Sequence, residues 1–219
     1  MSRIEWDKTG EHIYETGVDH GVLYELSEDA TYKNGVAWNG LTAVNESPSG
    51  AESTGVYADN IKYLNLISAE EFGITIEAYH YPPKFAECDG SAEAVKGVML
   101  GQQSRKTFGF SYRTRIGNDI DNDSHGYKIH LVYGCLASPS ERSYGTVNDN
   151  PEAITFSWEV KTTPVNVVGY KPTALVTIDS TEVDASKLIE LEKILYGDDS
   201  EEPRMPLPDE VITLLTAAG

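Results

Sequence analysis

Apolar and polar residues alternate with a period of two in several stretches of this chain. Successive side chains of a β-strand point to opposite faces of a sheet, so such alternation predicts strands with one buried face. Three short strands are predicted at residues 21–26, 61–68 and 173–179, in addition to the four stretches that follow. The apolar positions that would share a face are Ile154, Phe156, Trp158 and Val160; Ile74, Ile76 and Ala78; Phe108, Phe110 and Tyr112; and Tyr127, Ile129, Leu131 and Tyr133. Gly, Pro and Asn separate these stretches, which indicates a mainly antiparallel β-sandwich or barrel.

A helical pattern appears in residues 184–197. Asp184 is a suitable N-cap, and Gly197 is a typical residue just past the end of a helix. An apolar stripe between them consists of Leu188, Leu191, Ile194 and Leu195. We therefore predict one flanking α-helix that packs on the sheet or on a neighbour. Residues 82–88 predict a short turn of helix.

Two segments fit neither pattern. Residues 38–60 are rich in Gly, Ser, Asn and Pro, which predicts a long inter-strand loop of a functional or mobile kind. Residues 198–219 begin acidic and proline-rich, as an exposed linker does, and end in an apolar cluster too short for a core of its own. We expect a β-sandwich domain over residues 1–197 and an extended tail over residues 198–219. The tail would dock on its own chain or on the next copy.

The charge of the chain is strongly negative. It has 17 Lys and Arg residues against 35 Asp and Glu, for a net charge of −18. Phosphate binding needs Lys and Arg, so the balance argues against a protein that grips nucleic acid. Residues 96–142 are an exception and hold seven cations, which are Lys96, Arg105, Lys106, Arg113, Arg115, Lys128 and Arg142, against four acids. This asymmetry indicates either a solubilising surface or two faces of opposite sign that suit self-association.

The two cysteines, Cys88 and Cys135, are far apart and form no CxxC pair, so a reducing compartment is expected. The opening MSRIEWDKTGEHIYE lacks the apolar segment of a signal peptide, and no window approaches a membrane span. The sequence therefore predicts a soluble protein that is made in a cytoplasm and has no membrane partner.

Three aspartates at alternate positions, Asp119, Asp121 and Asp123, resemble the opening of a calcium-binding loop. The calcium template requires a glycine at the sixth position and a glutamate at the twelfth, but these positions hold Ser124 and His130. Aromatic and β-branched runs flank the segment instead of helices. The pattern favours the turn of a β-hairpin over an ion site.

No enzymatic constellation is evident. The chain has no P-loop, no Rossmann glycine pattern, no HExxH and no GxSxG. We assign no catalytic, cofactor-binding or metal-binding residue and expect that the chain is not an enzyme. A hydrolase that uses a pair of acids is a rival interpretation, although nothing singles out one pair among the 35 acids.

A set of aromatic residues offers a second rival interpretation. Trp38, Tyr57, Tyr63, Tyr79 and Tyr81 would suit the platform of a carbohydrate-binding or adhesin sandwich, since sugars stack on aromatic rings. The same residues would equally suit core or interface packing.

Several long stretches together resemble the major tail proteins, also called tail tube proteins, of long-tailed bacteriophages. They are RIEWDKTGEHIYETGVDHGVLY, GVAWNGLTAVNESPSGAESTGVYADNIKYLNLISAEEFGITIEAYHYP, RKTFGFSYRT, GYKIHLVYGCLASPSERSYGTVND, ITFSWEVKTTPV and the closing LEKILYGDDSEEPRMPLPDEVITLL. No single stretch is a chemical motif, so the resemblance lies in their number and order. It covers nearly the whole chain.

This resemblance implies a β-sandwich or barrel core of the tail tube type with a flanking helix, and a structural role in the virion. Subunits of that family form rings, commonly of six copies, which stack into a hollow tube around a tape measure protein. Tail terminator and tail-tip proteins would be further partners. DNA would leave the virion through the channel. The excess of acids in the chain adds a hypothesis of its own, that acidic side chains line the channel wall, repel the phosphates of DNA and let it slide.

Overall fold

The computed structural model describes residues 3–147, 149 and 152–216, and the chain is mainly β-structure. The strands are β1 (Tyr14–Leu26), β2 (Tyr32–Trp38), β3 (Leu41–Glu46), β4 (Ser49–Gly50), β5 (Ser53–Ala58), β6 (Ile61–Ile67), β7 (Glu70–Glu71), β8 (Gly73–Ala78), β9 (Ala92–Val95), β10 (Val98–Leu100), β11 (Phe108–Asn118), β12 (Asn122–Ala137), β13 (Phe156–Lys161) and β14 (Leu175–Asp179). The helices are α1 (Phe85–Cys88), α2 (Ala185–Tyr196) and α3 (Pro208–Thr216).

Two antiparallel sheets share the long strand β12. The first sheet runs in the order β2, β1, β11, β12 and β14, and the second runs from β13 through β8 to β3. Strand β12 pairs with β14 from Lys128 to Val132 and then with β13 at Leu136 and Ala137. The strand therefore passes from one sheet into the other, which lets the sheets face each other as in a β-sandwich.

The inner core lies between the two sheets. Its buried side chains come from both sheets and from α1, and they include Leu23, Trp38, Ile74, Ile76, Ala78, Phe85, Phe108, Phe110, Tyr112, Val132, Cys135, Trp158 and Val160. Trp38, Phe85 and Trp158 pack against one another with ring centroids 4.5 to 5.6 Å apart. Aromatic pairs at such distances add to the stability that area burial gives.

A second cluster, the helix-side core, lies on the opposite face of the first sheet. It is made by side chains of β1, β2, β12 and β14 together with α2, α3 and the segment between these helices, and it includes Val22, Tyr24, Tyr32, Ile129, Leu131, Tyr133, Ile178, Leu188, Leu191, Leu195, Met205 and Val211. The first sheet is thus buried on both faces. The molecule has three layers: helices, first sheet and second sheet.

The predicted strands are confirmed where alternation is strong. Strands β8 and β11 carry the predicted buried faces, as does β12 except that Tyr127 is half-buried. In β13 Trp158 and Val160 are buried and Phe156 is half-buried. Ile154 lies before β13 and is exposed. The coarse expectation of a mainly β, antiparallel sandwich is therefore confirmed.

Helix α2 begins and ends where the sequence predicts. The side chain of Asp184 accepts hydrogen bonds from the backbone N–H groups of Ser186 and Lys187, so it satisfies donors that a helix start leaves free. Gly197 has φ of 78°, a conformation that costs a glycine little. The predicted helical turn at residues 82–88 is present as α1.

The prediction of a long loop at residues 38–60 is wrong. Strand β3 pairs with β8 at the edge of the second sheet, and β4 and β5 pair with β7 and β6. These strands are mostly solvent-exposed, so they need no apolar alternation. Their small and polar residues are for that reason indistinguishable from those of a loop.

The prediction of an extended tail is also wrong for residues 208–216, which form α3. Before it, the backbone N–H of Met205 donates to the carbonyl of Tyr32, and the Met205 side chain is buried. Val211 of α3 is buried in the helix-side core as well. Of the two docking surfaces considered, this part of the tail uses its own chain. Residues 217–219 lie outside the described residues.

Candidate functional site

The segment that resembles the opening of a calcium-binding loop forms the turn of the β11–β12 hairpin and the start of β12. Asn118 and Asn122 are opposite each other at its end, which confirms the hairpin prediction. Asn122 has φ of 53°, as asparagine tolerates in turns. The side-chain oxygen of Asn118 accepts the backbone N–H groups of Ile120 and Asp121 and so fixes the turn locally.

Each of the three aspartates, Asp119 and Asp121 in the turn and Asp123 at the start of β12, makes a separate protein contact. Both carboxylate oxygens of Asp119 accept the backbone N–H of Gly10, at 2.9 and 3.1 Å, and this hydrogen bond lowers the pKa of Asp119. Asp123 pairs with Arg115 at 3.1 Å, and Asp121 accepts from Asn118. Within residues 3–147, 149 and 152–216, no three His, Cys, Asp or Glu side chains are grouped as a metal site requires.

His130 is the most buried of the histidines that the structure describes. Its ring stacks on Tyr112 with centroids 4.5 Å apart, and its Nε2 lies 3.0 Å from the hydroxyl of Thr114. Burial lowers the pKa of His130, although Glu46 at 3.7 Å opposes this shift. The ring therefore fills a polar position in the sheet and is neutral at pH 7.

Both cysteines are free and buried. Burial raises the pKa of the Cys88 thiol to about 12 and also raises that of Cys135. A nucleophilic or metal-binding cysteine needs the thiolate form. At neutral pH these two thiols act as small apolar side chains.

A shallow recess of about 370 Å³ lies beside Arg113, Arg115 and Tyr127. Arg113 donates to Asp19 at 2.8 Å, and Arg115 donates to the other oxygen of Asp19 at 3.2 Å. Burial would raise the pKa of Asp19, but hydrogen bonds from Arg113 and His20 lower it to about 2. Asp19 and Asp123, which also pairs with Arg115, together balance the charges of the two arginines, so the recess is a weak candidate for an anion site.

The five aromatic residues considered as a platform are divided between the core and the surface. Trp38 is buried, and its indole N–H donates to the carbonyl of His80 at 2.9 Å. Tyr81 packs against the inner core, whereas Tyr57, Tyr63 and Tyr79 are exposed. They do not form one continuous surface.

Most cations of residues 96–142, which could have formed a positive face, are paired with acids of the same chain. Six of the seven cations of residues 96–142 form ion pairs with acids from other segments: Arg105 and Arg142 with Asp89, Lys106 with Glu87, Arg113 and Arg115 with Asp19, and Lys128 with Glu15. Lys96 makes no such pair within the part of the chain that the structure describes. These cations therefore do not form a large positive face.

The first candidate interface is a projecting arm, residues 49–71. Its strands β5 and β6 pair only with each other among the described residues, and β4 and β7 form its base. Asp59 and Asn60 at the tip have φ of 50° and 61°, as a tight two-residue hairpin turn requires. Its large apolar side chains are between 41% and 70% exposed, and they are Tyr57, Ile61, Tyr63, Leu64, Leu66 and Ile67.

The second candidate interface is the 92–100 hairpin, formed by β9 and β10. Val95, Val98, Met99 and Leu100 are between 48% and 64% exposed. Sequence reasoning missed this hairpin, although the pair Lys96-Gly97 between two apolar runs is a turn signal. Gly97 has φ of 84°, and its N–H donates to Glu93 at 2.7 Å.

The outer face of the second sheet is polar. Residues that alternate with the buried positions of β8 and β13 point there, and they include Thr75, Glu77, Ser157 and Glu159. Glu77 lies opposite Ser157, and Glu159 lies opposite Thr75. This face carries acidic groups on regular strands, in contrast to the helix-covered face of the first sheet.

Isolated two-stranded hairpins are marginally stable in water, and contiguous exposed apolar residues mark sites of interaction. The arm and the 92–100 hairpin have both properties. The geometry therefore indicates binding surfaces for a macromolecule more than a pocket for a small substrate.

Comparison with known proteins gives no assignment. No protein-family model matches this chain. A search of curated proteins also gives no match. Among the described residues, no helix has the length and apolar character needed to cross a bilayer.

Proposed function

We propose that this chain is a subunit of a bacteriophage tail tube. Copies would assemble into rings, commonly of six, that stack around a tape measure protein and later conduct DNA, with terminator and tail-tip proteins at the ends. The sequence resemblance supports this role. The antiparallel sandwich, with helices on one face and projecting hairpins, is compatible with it.

The observation that carries the proposal is the arm. Six large apolar side chains protrude on strands that have no core beneath them. Burial of apolar surface is the main driving force of protein association, so a partner that covers the arm would gain stability. A soluble monomer with no partner would be expected to lack such an exposed element.

A second copy is the simplest partner for the arm. We propose that a different part of the neighbour receives the arm, which makes the contact head-to-tail. Such head-to-tail contacts generate rings when the rotation closes and open polymers when it does not. A tube of stacked rings requires one contact of each kind.

Negative-stain electron microscopy of the purified, concentrated protein tests the proposal directly. Rings or tubes of uniform diameter are expected. A carbohydrate-binding sandwich would instead remain a discrete monomer or trimer whose melting temperature rises with sugar, and a hydrolase would show turnover that single Asp or Glu substitutions abolish. Isolated particles at every concentration would overturn the proposal.

The role of the arm is tested by Leu66→Ser. This substitution removes an exposed apolar side chain, so the monomer is expected to keep its circular dichroism spectrum and its melting temperature while the yield of assembled material in a sedimentation assay falls several-fold. Ile189→Ser, on the exposed side of α2, is the matched control and is expected to assemble normally. Normal assembly of both variants would show that the arm is dispensable.

A further inference from the structure

We infer that the 92–100 hairpin of one copy binds the arm of a second copy. This inference rests on the proposed self-assembly and deepens it, because it names the two surfaces that meet. Three observations carry it: apolar exposure on both elements, a lysine at the tip of the hairpin opposite an excess of acids in the arm, and the absence of cover on either element from the described residues.

Both hairpins expose apolar surface. Val95, Val98, Met99 and Leu100 on one hairpin and the six large apolar residues of the arm are all substantially exposed. Strands β5 and β6 pair with each other, and β9 and β10 pair with each other, so the hairpins do not join in one sheet within the described chain. Both surfaces therefore stay available for another copy.

Lys96 lies at the tip of the 92–100 hairpin. The neighbouring Glu93 accepts the backbone N–H of Gly97, and Lys96 has no carboxylate within ion-pair distance in the described residues. The arm, by contrast, contains four acids and one base, namely Glu52, Asp59, Glu70, Glu71 and Lys62. A basic tip thus has an acidic counterpart on the same kind of chain.

The same charges disfavour contact between two arms. Such contact would bring two acidic segments together, and like charges in close contact are destabilising. Contact between two 92–100 hairpins would leave the arms of both copies uncovered. The mixed contact covers both elements, gives Lys96 an acidic partner and is head-to-tail, which permits more than two copies to join.

Disulfide cross-linking between engineered cysteines tests the contact. One preparation carries Val98→Cys and another carries Leu64→Cys, and the native thiols are buried, so they compete little. On mixing and mild oxidation, cross-linked dimers are expected in the mixture and not in either preparation alone. Assembled mixtures, seen as rings or tubes, that show no cross-link above the single preparations would overturn the inference.

Charge reversal gives an independent test that does not depend on engineered thiols. Lys96→Glu is expected to lower assembly yield several-fold at low salt, with a smaller effect at high salt because ions screen the contact. Lys193→Glu, on the exposed face of α2, makes the same change of net charge and is expected to assemble as the natural chain does. Equal yields of the two variants would count against the contact.

The two proposals fail in different ways. If the natural chain never assembles, both the tail tube proposal and this inference are wrong. If the natural chain and Lys96→Glu assemble equally well and no cross-link forms, the chain still self-assembles but through other surfaces.

Discussion

Gly134 lies where β12 leaves its pairing with β14 and turns towards β13. It has φ of 60°, and an added Cβ would overlap the backbone of Thr163. Its N–H donates to the hydroxyl of Tyr32, and its carbonyl accepts the N–H of Thr163. One residue thus holds the corner between the two sheets.

Gly134→Ala is predicted to destabilise the fold strongly. A left-handed alanine costs roughly 1–2 kcal/mol, and the overlap with Thr163 adds to that cost. Gly169→Ala is the control, because Gly169 has φ of 80° but open space around its Cβ position. Urea unfolding is expected to show a clearly larger loss of unfolding free energy for Gly134→Ala. Equal losses would mean that the contact with Thr163 is unimportant.

Residue-level predictions succeeded where the chemistry is local. Asp184 and Gly197 were identifiable from sequence because a cap acts within a few residues of itself. Ion pairs were not, because Arg113 and Asp19 are 94 residues apart and meet only once β1 pairs with β11. A positive face was therefore one of two interpretations of residues 96–142, although six of the seven cations there form ion pairs within the chain.

At the scale of elements, burial decided which strands were predictable. Strands β8 and β13 each have one buried face, so the alternation in sequence marks them clearly. Strands β5 and β9 are exposed or only partly buried, and their composition of small and polar residues carries no such pattern. Each candidate interface contains one of those weakly patterned strands. The sequence therefore predicted β6, as a strand over residues 61–68, but not the hairpin that β6 forms with β5.

The sequence predicted that the tail docks but left open whether it does so on its own chain or on another copy, since docking is a long-range contact, and the helix at residues 208–216 was not predicted. Met205→Ala is predicted to lower the unfolding free energy by about 2–5 kcal/mol, the usual range for a buried methionine replaced by alanine. Ile212→Ala, at an exposed position of α3, is expected to have a much smaller effect. Chemical denaturation of both variants measures the difference. A small loss for Met205→Ala would mean that this segment contributes little to the helix-side core.

At the scale of the whole molecule, the three layers leave the two sides unlike each other. Helices cover the first sheet, whereas the second sheet presents Glu77 and Glu159 on an outer face that no helix of the described chain covers. The overall fold class could be predicted from sequence because many segments have the alternation of a strand. Which sheet is covered and which is exposed could not be predicted, because it depends on the sheet against which the helices pack.

In an assembled tube, we predict that Glu77 and Glu159 lie on the channel wall and repel DNA. Tubes of the double variant Glu77→Lys and Glu159→Lys are expected to bind DNA in co-sedimentation at low salt and to release it as salt rises. Glu28→Lys with Glu182→Lys is the matched control, because both residues are exposed elsewhere. A tube reconstruction with a channel wall of mainly Lys and Arg would contradict this placement.

The arm and the 92–100 hairpin belong to separate stretches of one polypeptide, and neither contributes buried residues to the cores. On the proposed contact, a chain that lost the arm but kept the hairpin would still fold and add once to a growing end. It would then offer the next copy nothing to bind. Such a chain would act as a terminator of polymerisation, and the mean length of the product would fall with its share in the mixture.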